Sequence, residues 1–273
     1  METYILDIDM AEPPPKPNGA RRVLLFSDLH IGVFPRVSQM LNKRLLGAFN
    51  HLFRRRSRLR ADNVARLAGL LPRINPDVTI CAGDLGSVGL PEEYELAIGM
   101  LAPFAGDSFF YVPGNHDAYV RSSMPSMEDA IRRLNGGRWE PSKPVISLSC
   151  NGLRLVMINA ARPVAYHLSC GVIDGRMQEE ITSIHRDDGA VATFAVCHFP
   201  AVDKDGSLVG WRHGLRGATF MKTLLEEGRV DAMLSGHTHR PYVCTLPNGR
   251  SQICSGSLTL HGSYAICDAI SDS

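Results

Sequence analysis

The stretch Val23-Leu24-Leu25-Phe26-Ser27-Asp28-Leu29-His30 decides how the chain is read. A short apolar run, rich in branched and aromatic side chains, leads into Asp28-Leu29-His30. Such a run has the character of a buried strand, so the polar block sits where a strand ends. The same arrangement recurs four times. Val78–Cys81 precedes Gly83-Asp84, and Phe109–Val112 precedes Gly114-Asn115-His116-Asp117. Thr193–Val196 precedes Cys197-His198, and Ala232–Leu234 precedes Gly236-His237-Thr238-His239. In α/β sheets, ligands bind outside the carboxyl ends of strands. Five strand ends that offer Asp, Asn and His to one edge make a cluster of oxygen and imidazole ligands. That is a metal site, with more ligands than one ion can take.

The order D-x-H, G-D, G-N-H-D, a lone His after a strand, then G-H-x-H spans residues 28–239. It resembles the calcineurin-like metallophosphoesterase superfamily. No single block is specific; the ordered set is. The resemblance implies an α/β (α+β) fold of four layers, an α/β/β/α sandwich, where the pattern alone shows only mixed α/β. It implies that Asp28, His30 and His239 bind a first metal ion and that Asp84 bridges to a second. Asn115, His198 and His237 would bind that second ion. His116 would face the substrate phosphate and leaving group as the catalytic histidine. Asp117 would hydrogen-bond His116 and orient it. The expected cofactors are two divalent metal ions, Mn, Fe or Zn, since imidazole and carboxylate ligands suit all three. Two ions about 3.5–4 Å apart can clamp the attacking and leaving oxygens of an in-line displacement, with a metal-activated hydroxide as nucleophile.

Taken singly, these residues read otherwise. His198 alone would be a structural histidine, Asp84 a helix cap or turn residue, and His237 and His239 solvated loop residues. Only the full set points to metal. His51, His167, His185, His213 and His261 fall outside the blocks and read as surface or structural. His167 and His213 are the two that could still reach a substrate.

Departures from relatives narrow the expected activity. Protein Ser/Thr phosphatases of this superfamily carry GD-x-VDRG and GNHE. Here the residues are Gly83-Asp84-Leu85-Gly86-Ser87 and GNHD. The appended DNA-binding parts of the recombination nucleases are also lacking. The chain looks more like a bacterial phosphodiesterase acting on a small nucleotide-like or lipid-linked phosphoester. Two alternatives stay open: a membrane-surface UDP-diacylglucosamine-type pyrophosphatase, and a non-catalytic scaffold that keeps the fold. Substrate choice would lie in residues 31–60, Tyr119–Pro125 and Arg162–Gly175, because fold and metal ligands do not supply it.

Composition agrees with an enzyme domain. A chain of 273 residues can bury one large core, and an apolar fraction of 44% is ordinary. A formal net charge of +1 carries no broad nucleic-acid signature, so no nucleic-acid partner is expected. No apolar run is long enough for a spanning helix. Met1–Met10 contains Glu2, Asp7 and Asp9 and does not look like a secretory signal. The seven cysteines contain no CxxC pair and read as free thiols of a reducing compartment. A Cys244–Cys254 bridge is the alternative. The expected location is cytoplasmic, or peripheral at the inner face of the membrane.

Residues 1–20 read as an extended lead-in, Pro-rich over 11–19, and 21–273 as a single domain. Helices are expected over 61–71 with Pro72 after it, from Pro91 to about Leu101, over Ser126–Leu134 with Ser126 as N-cap, and around Thr219–Glu227. Asn151-Gly152 and Asn248-Gly249 mark hairpins. One segment stands apart. Residues 36–60 hold Arg36, Lys43, Arg44, Arg54, Arg55, Arg56, Arg58 and Arg60 and no acidic residue, which leaves the rest of the chain net negative. Leu41, Leu45, Ala48, Phe49, Leu52 and Phe53 recur within it at helical spacing. This reads as a basic amphipathic helix. It would lie on anionic lipid, pack on the body with a solvated Arg face, or contact substrate phosphates.

Overall fold

The five apolar runs fold as strands. The computed structural model describes residues 1–9, 12–33, 59–184 and 189–270. The basic segment 36–60 lies outside these except for its last two positions. β1 (Glu2–Asp7), β2 (Arg21–Phe26), β3 (Val78–Cys81), β4 (Phe109–Tyr111) and β13 (Ser263–Ala269) form one sheet, in the order β1-β13-β2-β3-β4. β2, β3 and β4 run parallel, and β13 runs antiparallel to β2 and β1. The second sheet contains β5 (Val145–Cys150), β6 (Leu153–Ile158), β8 (Ala192–Val196), β10 (Ala232–Ser235), β11 (Tyr242–Thr245) and β12 (Ser251–Cys254). Its order is β11-β12-β10-β8-β6-β5, with β6, β8, β10 and β12 parallel. A short parallel pair, β7 (Gly171–Val172) and β9 (Leu215–Arg216), stands apart.

Every residue of β3, β8, β10, β12 and β13 is buried. A strand buried on both faces has a layer on each side of its sheet. The two sheets pack together, and helices cover their outer faces, giving the four-layer α/β/β/α sandwich. The helices are α1 (Asp62–Ile74), α2 (Pro91–Leu101), α3 (Met124–Leu134), α4 (Gly175–Ser183), α5 (Ala218–Glu226) and the single turn α6 (Leu258–His261). Among the described residues none is long and apolar enough to cross a membrane.

Several boundaries differ from expectation. Part of the extended lead-in is a sheet strand: Glu2–Asp7 pairs residue for residue with Ser263–Asp268. α1 runs through Pro72 to Ile74, whose side chain is buried, and Asn75 ends it in the left-handed conformation with its N–H on Leu71 O. α3 begins at Met124 rather than after Ser126, with Pro125 in the first turn, where its missing N–H costs nothing. Cys244 and Cys254 do not face each other. Across the ladder Cys244 opposes Gln252 and Tyr242 opposes Cys254, and all seven cysteines are free.

Candidate metal centre

The polar blocks extend the strands from which they emerge. Beyond β2 and β3 the backbone ladder continues: Asp28 N–H donates to Gly83 O at 2.9 Å, and His30 N–H to Asp84 O at 3.0 Å. Beyond β8 and β10, Gly236 N–H donates to His198 O at 3.0 Å. Bonds between the two sheets include His237 N–H to Asp28 Oδ2 at 2.9 Å and His198 Nδ1 to Ala82 O at 2.6 Å. All five blocks therefore meet at one edge of the sandwich. Close approach dictates two of the glycines. A Cβ on Gly114 would overlap Asp84 Oδ1 and lie 2.8 Å from His198 Cε1; one on Gly236 would overlap Ser27 Oγ and lie 2.5 Å from Asp28 Oδ2.

Backbone strain concentrates at this edge. Among the described residues seven non-glycine residues have positive φ, and five of them are Asp28, His30, Asp84, His237 and His239. A left-handed residue of this kind costs about 1–3 kcal/mol and persists only where its surroundings force it. The other two, Asn75 and Asn151, end a helix and turn a hairpin, where Asn tolerates this conformation.

In Asp28, Asp84, His198 and His237 one polar atom is committed to a hydrogen bond and the other is left over, whereas His30 Nε2 and His239 Nε2 meet at 2.8 Å. Asp28 Oδ2 accepts from Ser27 Oγ at 2.5 Å and from His237 N–H. Its Oδ1 has no hydrogen-bond partner among the described residues, and lies 3.2 Å from His239 Nε2 and 3.6 Å from His30 Nε2. Asp84 Oδ1 accepts His116 N–H at 2.7 Å. Asp84 Oδ2 lies 3.9 Å from His30 Nε2 and 3.4 Å from His198 Nε2. His198 Nδ1 donates to Ala82 O at 2.6 Å, and its buried Nε2 has no hydrogen-bond partner among the described residues. His237 Nε2 donates to His213 O at 2.5 Å, which leaves Nδ1. Asn115 Oδ1 is buried without a partner among the described residues.

Buried polar atoms in native proteins are almost always paired, and exceptions call for an ion or water. Carboxylate oxygens, imidazole lone pairs and an amide oxygen are the donors that divalent cations take. The residues thus fit metal. Ligand atoms of Asp28, His30, Asp84 and His239 lie within 4.8 Å of one another. His198, whose ring centroid is 5.1 Å from that of His237, brings its Nε2 within 3.4 Å of Asp84 Oδ2.

The electrostatics favour a cation. Burial alone would raise the Asp28 and Asp84 carboxyls, yet His239 beside Asp28 and His198 beside Asp84 hold both well below the usual carboxylate range. Burial works against the His198 imidazolium, but the Asp84 charge outweighs it and pushes His198 up to about 9. Burial and the neighbouring His198 push His237 down to about 4. A metal must displace a proton from His198.

His116 is held differently from the expected arrangement. Its Nδ1 lies 2.5 Å from Ser87 O, to which it donates, and its ring stacks on Tyr119 at 5.5 Å and 22°. Asp117 does not orient it. The Asp117 carboxylate instead accepts backbone N–H groups of Asp84 and Gly114, both at 2.8 Å, and of Leu85 at 2.9 Å. A carboxylate surrounded by amides at the junction of two loops has no lone pair to spare for the ring. Asp117 fixes the loops that carry Asp84 and Asn115.

A cavity of about 370 Å³ opens over these groups. Asp84, Asn115, His116, His237 and His239 line one side, and Ser169, Val209, His213 and Thr238 complete it. Ser169 lies within the expected substrate loop, but Val209 and His213 do not. His213, one of the two histidines expected to be able to reach a substrate, is held there by its carbonyl on His237 and by Nδ1 on Ser169 Oγ at 2.5 Å; no local signal marks Val209. His167 is not among the lining residues.

A family model described as calcineurin-like phosphoesterase matches residues 21–241. The chain is 26% identical over 186 residues to a probable cyclic nucleotide phosphodiesterase from Pseudoalteromonas sp. (strain SM9913), covering 67% of this chain. It spans 63% of that relative's length, less than two thirds. Similar solved structures include a dimetal phosphatase from Danio rerio, with a TM-score of 0.60, 14% identity and coverage of 93% and 94% of the two chains. A purple acid phosphatase from yellow lupin (Lupinus luteus) seeds gives a TM-score of 0.50 and 13% identity over 94% of this chain and 49% of the other. At such identities the structural likeness speaks to fold alone.

Proposed function

Because the chain belongs to the calcineurin-like phosphoesterase family, we propose that it is a hydrolase of phosphoric esters, a dinuclear phosphodiesterase acting on a small, nucleotide-like phosphodiester. One observation carries the reading. A single oxygen, Asp84 Oδ2, lies 3.9 Å from His30 Nε2 of one proposed ligand group and 3.4 Å from His198 Nε2 of the other, while Oδ1 is fixed by a backbone amide. The name of the Pseudoalteromonas relative supports the diester class.

In this reading Asp28, His30 and His239 hold one divalent ion, Asn115, His198 and His237 hold the second, and Asp84 is shared. When bound, the pair supplies Lewis acidity toward the phosphoryl oxygens and a water of lowered pKa. The protein's own groups do the rest. With Nδ1 donating to Ser87 O, His116 would pass a proton from Nε2 to the leaving oxygen. Asp117 keeps the Asp84 and Asn115 loops in register. Val209 and the Ser169–His213 pair bound the other wall.

The test is turnover by Mn-loaded protein of bis-p-nitrophenyl phosphate, p-nitrophenyl phosphate and a cyclic nucleotide. Diesters should turn over faster than the monoester, and Asp84→Asn should reduce the rate by at least about a hundredfold, the upper end of what merely supporting residues cost. A preference for the monoester, or near-wild-type turnover by Asp84→Asn, would overturn the reading.

A further inference from the structure

Two turns beside the cavity carry aromatic side chains that esterase chemistry leaves unused. Tyr166 and Trp211 are 72% and 65% exposed, whereas Trp139, the chain's other tryptophan, is fully buried. Each stands at the tip of a tight turn. Leu168 N–H donates to Ala165 O at 2.9 Å across Tyr166, and His213 N–H donates to Gly210 O at 2.9 Å across Trp211. The turns are fastened side by side. Ser169 N–H donates to Arg212 O at 2.9 Å, Ser169 Oγ meets His213 Nδ1, and Gly171 N–H donates to Gly214 O at 3.2 Å. Ser169 and His213, just past the two tips, line the cavity. The Arg212 guanidinium lies 5.3 Å from the Trp211 ring centroid, so this tip joins a π-face to a cation.

Aromatic side chains left in water on hydrogen-bonded turns, two or three residues from the lining of a polar pocket, have the character of a ligand surface. A phosphate held at the His116 end leaves the rest of a nucleotide to extend past Ser169 and His213 toward these tips. We propose that Trp211 and Tyr166 form an aromatic subsite that stacks the planar base of a nucleotide whose phosphate occupies the cavity. The subsite rests on the phosphodiesterase reading above. It is tolerant of base identity, since every base offers a π-face.

The experiment compares AMP with ribose 5-phosphate, which share sugar and phosphate and differ only in the base. Both are titrated into Mn-loaded protein by calorimetry, with tryptophan fluorescence as a second readout. AMP should bind about tenfold tighter or more, the scale of base stacking, and should quench Trp211 while ribose 5-phosphate does not. Trp211→Ala combined with Tyr166→Ala should bring the two ligands to equal affinity, and Trp211→Phe should keep most of the preference. Equal affinities in the wild type, or a preference that survives the double substitution, would overturn the subsite. So would phosphatidylglycerol vesicles shielding Trp211 from acrylamide when AMP does not, which would make the tips a membrane contact. Hydrolysis of bis-p-nitrophenyl phosphate is measured on the same preparation. Activity without base preference sinks the subsite alone; base preference without activity sinks the esterase reading alone.

Discussion

His116 is fixed at Nδ1 by the Ser87 carbonyl, stacked on Tyr119 and packed edge-on against the His30 ring at 4.7 Å, and in the proposed arrangement it is not a ligand. His116→Ala should therefore retain the metal content of the wild type. It should lose about 10²–10⁴-fold in rate with poor leaving groups and far less with p-nitrophenolate, because general acid help matters most for a poor leaving group. Loss of metal in this variant would mean that His116 is a ligand. A second residue gives a pH signature. Glu93 in the first turn of α2 accepts Val88 N–H at 3.0 Å and Leu90 N–H at 3.1 Å, and burial pushes its carboxyl from 4.5 up to about 7. Between those values the folded state holds a proton that the unfolded state has lost. Glu93 thus makes stability fall as pH rises from 4.5 to 7, by about 3 kcal/mol, and adds no slope above that window. Glu93→Gln removes this slope. Denaturation midpoints of wild type and variant should converge or cross as pH rises through the window; a constant difference would contradict the assignment.

At the scale of elements, Arg22 of β2 is the clearest structural test. It is fully buried, and all its N–H groups are used. Nε and Nη2 hold Asp268 of β13 at 2.7 and 2.6 Å, Nη1 donates to Ile74 O at the end of α1 and to Pro14 O, and Nη2 donates to Pro15 O. Arg22→Ala would leave Asp268 a buried unpaired charge and should cost about 3–5 kcal/mol. Arg22→Lys should recover only part of this, because an ammonium lacks the fork. Neither should change metal content in the folded protein at permissive temperature. The same region shows where sequence reading runs out. β2, β3, β4, β8 and β10 were legible because each carries a local signal, an apolar run ending in a polar block. β1 was not, because its partner β13 lies at the far end of the chain and the pairing leaves no local trace. The α1 boundary was misplaced because Pro72 signals a stop, whereas burial of Ile74 and the Asn75 cap carry the helix on. The polar blocks that meet at the cavity were legible through motif order, and Ser169 and His213 only as a loop and a histidine that could reach a substrate; Val209 was not, since no local pattern marks it. The Asp117 role was misread because sequence adjacency to His116 says nothing about which way a carboxylate faces.

For the whole molecule, the candidate centre joins the two sheets. Asp28 and Asp84 leave from one, His198 and the pair His237 and His239 from the other, and a single main-chain to side-chain bond links Asp28 to His237. Ions held across that junction stabilise the folded state and not the unfolded one. At a hundredfold excess over its Kd, a bound ion adds about 2.7 kcal/mol, so chelation should lower Tm by roughly 5–10 °C for a domain of this size. Restoring Mn or Zn should reverse the loss; an unchanged Tm would mean that the bare atoms find other partners. The central claim is that Asp84 is shared between two ions. Its most direct test is low-temperature electron paramagnetic resonance of Mn-loaded protein, with metal content measured on the same samples. We expect two Mn per chain with an exchange-coupled signal in the wild type, and loss of that coupling in Asp84→Asn. One Mn per chain with an isolated six-line signal, or coupling that survives Asp84→Asn, would contradict it.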